Sequence, residues 1–326
     1  MTIIRAHVLR LAAVTLAALA APGIGSAQTY PSRPVRIVLS LPPGGTPDVL
    51  ARILGNKLTE QTGQPVIVDS RPGASGVMAV EIAKAAPPDG YTLLLAGTTN
   101  FATLPALKPK LSYNIDNDFL ALSRVASVAN VVAVHPSLGV STVADLVKLA
   151  KARPGQLNYG SGGNGSAPHL AGEMFNVLAG VRAVHVPYKG SVLAVNDLIT
   201  GQLQFIMTSP VTVMPHWKSG RIKVIATTGP KRDPLFPELP TVADTVAGFE
   251  STLWWGVAVP AKTPAGIVKK LHTEIVKALQ SSEVREPFAK QGATAQAESP
   301  AEFAAFIKAE RERIARIGQQ VGITLD

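Results

Sequence analysis

Apolar and polar positions follow two alternating rhythms along this chain. Residues 35–41 form a near-continuous apolar run, rich in β-branched side chains, and residues 47–61 then repeat apolar positions at helical spacing. The same strand-then-helix succession returns at 66–69 with 76–85, and a third strand at 91–96 leads into a Thr/Asn-rich turn. This alternation predicts an α/β fold, with a parallel sheet covered by helices on both faces. Near Ser127 the pattern changes. Residues 128–134 read as one apolar strand ending at His135-Pro136, and a new capped helix opens at Ser141 or Thr142. A second series follows, with strands near Asn158 and at 183–186, 205–208 and 223–227, and a helix over 191–200 stopped by Gly201. Residues 252–259 read as a strand returning to the first series. Helices capped at Thr263-Pro264 and by the capping box Ser299-Pro300-Ala301-Glu302 come after it. The chain is therefore expected to cross twice between two lobes, 28–127 with 251–326 forming the first and 128–250 the second.

Two loops stand out at the strand-to-helix junctions. In Leu41-Pro-Pro-Gly44-Gly45-Thr46-Pro47-Asp48 an apolar strand feeds a Pro/Gly loop and a helix read as capped by Thr46, with Pro47 in its first turn, where the missing N–H costs nothing. Amides left free by glycines and by a helix start can close on a carboxylate or phosphate without a charged side chain. The design recurs at Tyr159-Gly-Ser161-Gly-Gly-Asn164-Gly165-Ser166-Ala-Pro-His169-Leu170. Ligands of open α/β sheets sit beyond the carboxyl ends of the strands, where Gly44-Gly45-Thr46, Pro72-Gly73-Ala74-Ser75 and Thr98-Thr99-Asn100 all fall. Asp48 either complements the helix dipole or orients the loop through its N–H groups. His169, in the first turn of the second helix, can donate to a carboxylate or serve the cap. Tyr188, in Val186-Pro-Tyr188-Lys189-Gly190, can cover a cleft or pack in its wall.

Composition narrows the function. The first 27 residues carry Arg5 and Arg10, the apolar run 11–21 and a small-residue ending, Gly25-Ser26-Ala27, the layout of a signal peptide cleaved before Gln28. The run is about half the ~20 residues needed to span a bilayer, so a periplasmic, exported soluble chain is expected. No cysteine occurs, which excludes disulfides, thiolate catalysis and zinc–thiolate sites. Among 326 residues, 31 Lys and Arg face 22 Asp and Glu, and losing Arg5 and Arg10 with the leader leaves an excess of seven. These charges are scattered and aromatics make up 5%, so a nucleic-acid surface is not expected, while mild basicity favours an anionic small molecule. No G-x-S-x-G elbow, phosphate-binding G-x-x-x-x-G-K-[ST] loop or H-E-x-x-H pair is present, and His135, His169, His185, His216 and His272 stand singly. No catalytic residue, metal site or cofactor is predicted.

With these residues in hand, the chain resembles the Bug family, the extracytoplasmic receptors of tripartite tricarboxylate transporters. The resemblance runs through Pro42-Pro-Gly-Gly-Thr-Pro-Asp-Val-Leu-Ala-Arg52, Arg71-Pro-Gly-Ala74, Pro88-Asp-Gly-Tyr-Thr92 and the 159–170 loop. It continues through His185-Val-Pro-Tyr-Lys-Gly190, Pro240-Thr241 and Trp255-Gly256. It implies a two-lobed, type II periplasmic-binding-protein fold with two crossing hinge strands, a monomer closing on a small mono- or dicarboxylate and delivering it to a membrane permease. By the same resemblance the carboxylate would be held by Gly44, Gly45 and Thr46, by Thr98 and Thr99, and by the loop from Ser161 through Asn164 and Gly165 to Ser166. Leu41 stands where the family commonly has an aromatic residue and Ser75 where it commonly has glycine. An exported two-lobed α/β enzyme and a ligand-sensing co-receptor are the alternative functions.

Overall fold

A computed structural model describes residues 30–322, so the expected leader and its cleavage site lie outside the described residues. Among the described residues eleven strands follow in chain order: β1 Val35–Leu39, β2 Val66–Ser70, β3 Thr92–Gly97, β4 Phe119–Ala129, β5 Val131–Val134, β6 Asn158–Ser161, β7 Val184–Pro187, β8 Phe205–Thr208, β9 Lys223–Thr227, β10 Thr252–Pro260 and β11 Thr294–Ala295. They make two sheets, ordered β11-β4-β10-β3-β1-β2 and β7-β6-β8-β5-β9.

The centre of the first sheet is apolar because it is covered on both faces. Ile37, Val38 and Leu39 of β1 and Leu94, Leu95 and Ala96 of β3 are fully buried. Helix Thr46–Thr62 lays Leu50, Leu54 and Leu58 on the core at four-residue spacing and stops at Gly63, whose φ of +69° suits only glycine well. Phe101 stacks on Trp254 at 6.0 Å, and Phe303 meets both rings edge-on. The second sheet has its own core, in which Phe205 lies against Tyr159 and Phe175.

Two expectations are corrected. The first sheet is mixed rather than parallel: β1, β2 and β3 run together, but β10 is antiparallel to both β3 and β4. The chain leaves this sheet at the end of β4 and re-enters at the same end by β10, whose first residue Thr252 pairs with Ala129, the last of β4. The run 128–134 is two strands, not one, because Asn130 separates the end of β4 from the start of β5 in the other sheet. The rest of β4 escapes a periodicity reading because two register shifts break its alternation and because it carries Ser123 and Arg124. Those side chains are met by the distant C-terminal segment: Ser123 accepts the Glu298 N–H at 3.0 Å, and Arg124 pairs with the Glu298 carboxylate and lies 3.9 Å over the Phe306 ring.

Both crossings meet at one point. The Thr228 N–H donates to the Asn130 carbonyl at 2.8 Å, the Ser251 N–H donates to the Thr228 carbonyl at 2.8 Å, and the Thr228 hydroxyl reaches the Asn130 and Ser251 carbonyls. Among the described residues no helix is long and apolar enough to cross a membrane.

Candidate functional site

A cavity of about 510 Å³ lies where the loops at the carboxyl ends of the first sheet's strands meet those of the second. Its wall comes from Ser40, Leu41, Pro42 and residues 45–47 after β1, from Pro72, Gly73, Ser75 and Gly76 after β2, and from Thr98, Thr99 and Asn100 after β3. Gly162 and residues 164–168 after β6, Thr208, Ser209 and Thr212 around the end of β8, and Leu253 to Trp255 on β10 complete it, with Leu104 and Ser191. Among the described residues that line it, none is ionisable.

Among the helices that begin at this wall, four open from the loops after β1, β6, β7 and β8 and have no side-chain cap. The N-cap positions are Gly45, Ser166, Gly190 and Ser209. Thr46, read from sequence as a cap, is instead the first helical residue, because the two bonds from Asp48 and Val49 return to the Gly45 carbonyl. An N-cap serine ordinarily accepts a bond from its own helix. Here the Ser166 and Ser209 hydroxyls make no such bond, and together with the Ser40 hydroxyl they are buried on the cavity wall without any partner. Each helix start also adds partial positive charge from its first amides.

The glycine loop is set by Asp48. The Gly44 N–H donates to its Oδ2 at 3.0 Å, and Arg52, one turn on, donates to the same oxygen at 3.0 Å. Burial alone would raise this carboxyl, but the bonds from Arg52 and the Gly44 amide outweigh it and hold the group below its ordinary value. The amides of Gly45 and Thr46 then find no acceptor among the described residues. On the neighbouring loop Gly73, Ala74, Ser75 and Gly76 all have positive φ, and for Ala74 (+46°) and Ser75 (+56°) this is strained backbone. The Asn100 amide holds the turn by donating to the Ser75 carbonyl at 2.9 Å.

The second loop is shaped from behind. The Gly165 N–H donates to Nδ1 of His169 at 3.0 Å, and His169 stacks on His185 at 4.0 Å. His185 Nε2 is 2.7 Å from the Ser161 hydroxyl, which accepts the Gly163 N–H. Burial, and then the neighbouring His169, push the His185 imidazole down to about 4; burial likewise lowers His169, against the pull of Glu173.

Of the residues named from sequence, Gly45, Thr46, Thr98, Thr99, Asn164, Gly165 and Ser166 lie on the wall. Gly44, Ser161, His169 and Tyr188 do not: the first three brace the loops as described, and the Tyr188 hydroxyl donates to Asp197 at 2.7 Å. Ser40, Ser191, Thr208, Ser209 and Thr212 were not read from sequence as ligand contacts, while Asn100 was placed at the rim and Trp255 in a motif without either being assigned a contact. Ser209-Pro210 repeats the polar-then-proline helix start of Thr46-Pro47, a signal that could have found it. Ser40 directly follows the β1 run and carries no such mark.

A cleft between two mixed α/β sheets, walled by helix starts and hydroxyls, defines a ligand-binding receptor fold. The sequence pattern of the tripartite tricarboxylate transporter family receptor matches residues 50–323, and the chain belongs to that family. It is 35% identical to the BugT protein of Bordetella pertussis over 314 residues, 96% of each chain. Rpa4515 of Rhodopseudomonas palustris, solved with adipate, superposes with a TM-score of 0.83 at 34% identity, covering 90% of this chain and 99% of its own. MatC (Rpa3494) of the same organism, solved with bound malate, superposes with a TM-score of 0.77 at 27% identity, covering 88% of this chain and 99% of its own.

Proposed function

We propose that this chain is an exported periplasmic solute-binding receptor that captures a small mono- or dicarboxylate and delivers it to a membrane permease of the tripartite tricarboxylate transporter type. The observation that carries this reading is the set of three buried, unpartnered hydroxyls, Ser40, Ser166 and Ser209, on a wall with no ionisable side chain. A buried polar atom without a partner is costly, and a carboxylate oxygen gives each hydroxyl an acceptor. The helix starts at Thr46, Ala167, Ser191 and Pro210 favour the same charge. Gly45, Thr46, Thr98, Thr99, Asn164, Gly165 and Ser166 are the contact residues in this reading, with Gly44, Ser161 and His169 behind them. Binding rather than turnover is the reading this wall supports, because its lining among the described residues includes no ionisable side chain to act as acid or base or to activate a serine hydroxyl. The adipate and malate of the two structural relatives support the ligand class.

In this reading residues 28–127 with 251–326 and residues 128–250 are two lobes of a monomer that close on the ligand about the Asn130, Thr228 and Ser251 junction. Thermal-shift screening of a carboxylate panel containing adipate and malate tests the function: a ligand at 100 times its dissociation constant adds about 2.7 kcal/mol. The hit must also shrink the radius in small-angle scattering. A panel without any hit would refute the ligand class, and saturation without compaction would refute closure.

A further inference from the structure

We propose that His169 positions the wall formed by residues 162–166, and that its protonation lets this wall go, so that the receptor grips its ligand at neutral pH and loosens it in acid. This rests on the carboxylate-binding reading above.

The bond from the Gly165 N–H to Nδ1 of His169 at 3.0 Å fixes the chemistry. Nδ1 can accept only while it carries no proton, and an imidazolium carries one on each nitrogen. Protonation would turn an N–H···N bond into two opposed N–H groups. Gly165 is buried on the cavity wall between Asn164 and Ser166, so the break falls on residues that face the ligand.

The surroundings make one proton the unit of the change. His169 is 9% exposed and stacks on His185, so both rings cannot be charged together. Behind them Tyr159, from β6, lies 5.1 Å from the His185 ring and donates its hydroxyl to Glu173, on the same helix as His169. Glu173 is the group favouring the charged ring, and burial opposes it. The C-terminal helix Pro300–Val321 packs on this helix too, but its Arg313 meets Met174 and pairs with Glu310. The acid-sensitive range therefore lies below the ordinary imidazole value of about 6.5.

Two substitutions separate titration from packing. In His169→Asn the Oδ1 atom takes the place of Nδ1 and accepts the Gly165 N–H at any pH; His169→Phe keeps bulk and accepts nothing. Hydrogen exchange of the Gly165 amide, corrected for its intrinsic pH dependence, is read first and without ligand. Protection should fall as the pH is lowered below the ordinary imidazole value of about 6.5 in the natural chain, stay level in His169→Asn and be low throughout in His169→Phe. Unchanged protection in the natural chain down to about pH 4.5 overturns the proposal whatever the ligand is. Calorimetry with adipate and malate follows. The carboxyls of the probe titrate equally against both proteins, so the ratio of natural to Asn-variant affinity isolates the imidazole; it should be level above about pH 6.5 and fall up to tenfold per pH unit below the His169 value. A level ratio at all pH, with protection lost, overturns the coupling to the site. If no carboxylate binds at neutral pH, the binding reading fails by itself, and the exchange measurement still decides the role of His169.

Discussion

The Gly44 N–H lies 3.0 Å from Oδ2 of Asp48, four residues further into the helix, so the first glycine of the loop is bound to its own helix while Gly45 and Thr46 face the cavity. Asp48→Ala should lower stability by about 1.5–3 kcal/mol, the range for bonds to a charged group, towards the lower end because Arg52 is half exposed. The native carboxyl is depressed, so its contribution is present above the unfolded value near 3.9 and is lost as pH falls through the folded value. Urea unfolding of both proteins at neutral pH and near pH 3 checks this: the difference between them should shrink in acid.

The wall donors should dominate affinity. Thr46→Val, Ser166→Ala and Ser209→Ala should each weaken carboxylate binding by about 1–3 kcal/mol in calorimetry. Arg71 pairs with Asp69 at 2.9 Å and, like Lys189, lies off the wall, so Arg71→Ala and Lys189→Ala should bind as the natural chain does. If instead those two abolish binding and the three wall variants do not, a charge-paired site must replace the neutral clamp.

The left-handed turn at 73–76 should answer in opposite directions at neighbouring positions. Ser75→Gly removes strain worth ~1–2 kcal/mol, partly offset by the freer unfolded chain, for a net gain of about 1 kcal/mol. Gly76→Ala puts a methyl 2.8 Å from the Asn100 side-chain amide at a φ of +87°, and should cost about 2–4 kcal/mol. Thermal unfolding in the absence of ligand measures both.

The strand-to-helix alternation, the second series, the helix cap at Ser141 or Thr142 and the capping box at Ser299 were legible because each is written within a few residues. What stayed hidden depends on distant partners. The polar residues of β4 make sense only against Glu298 and Phe306, more than 170 residues away. The glycine loops announced anion donors, yet sequence spacing could not tell Gly44 and Ser161, which brace, from Gly45 and Ser166, which line. That distinction is set by Asp48 and His185, whose side-chain directions no local pattern fixes. Ser209 belongs to the wall only because β8 lies beside β6 in the second sheet, where Tyr159 pairs with Phe205, 46 residues on.

A wall built from dipoles alone divides the task of recognition between two distances. Dipole fields fade within a few ångströms, so the cavity does not draw a carboxylate from afar, and the long reach belongs to the positive excess scattered over the rest of the chain. That excess enriches anions according to their charge and not their shape, and is muted beyond about 10 Å at 0.1 M salt. Arrival is thus set by the medium and selection by contact: brine slows capture of ligands of equal charge by a similar factor, while the order of preference among them and the lifetime of each complex stay nearly as they are in fresh water.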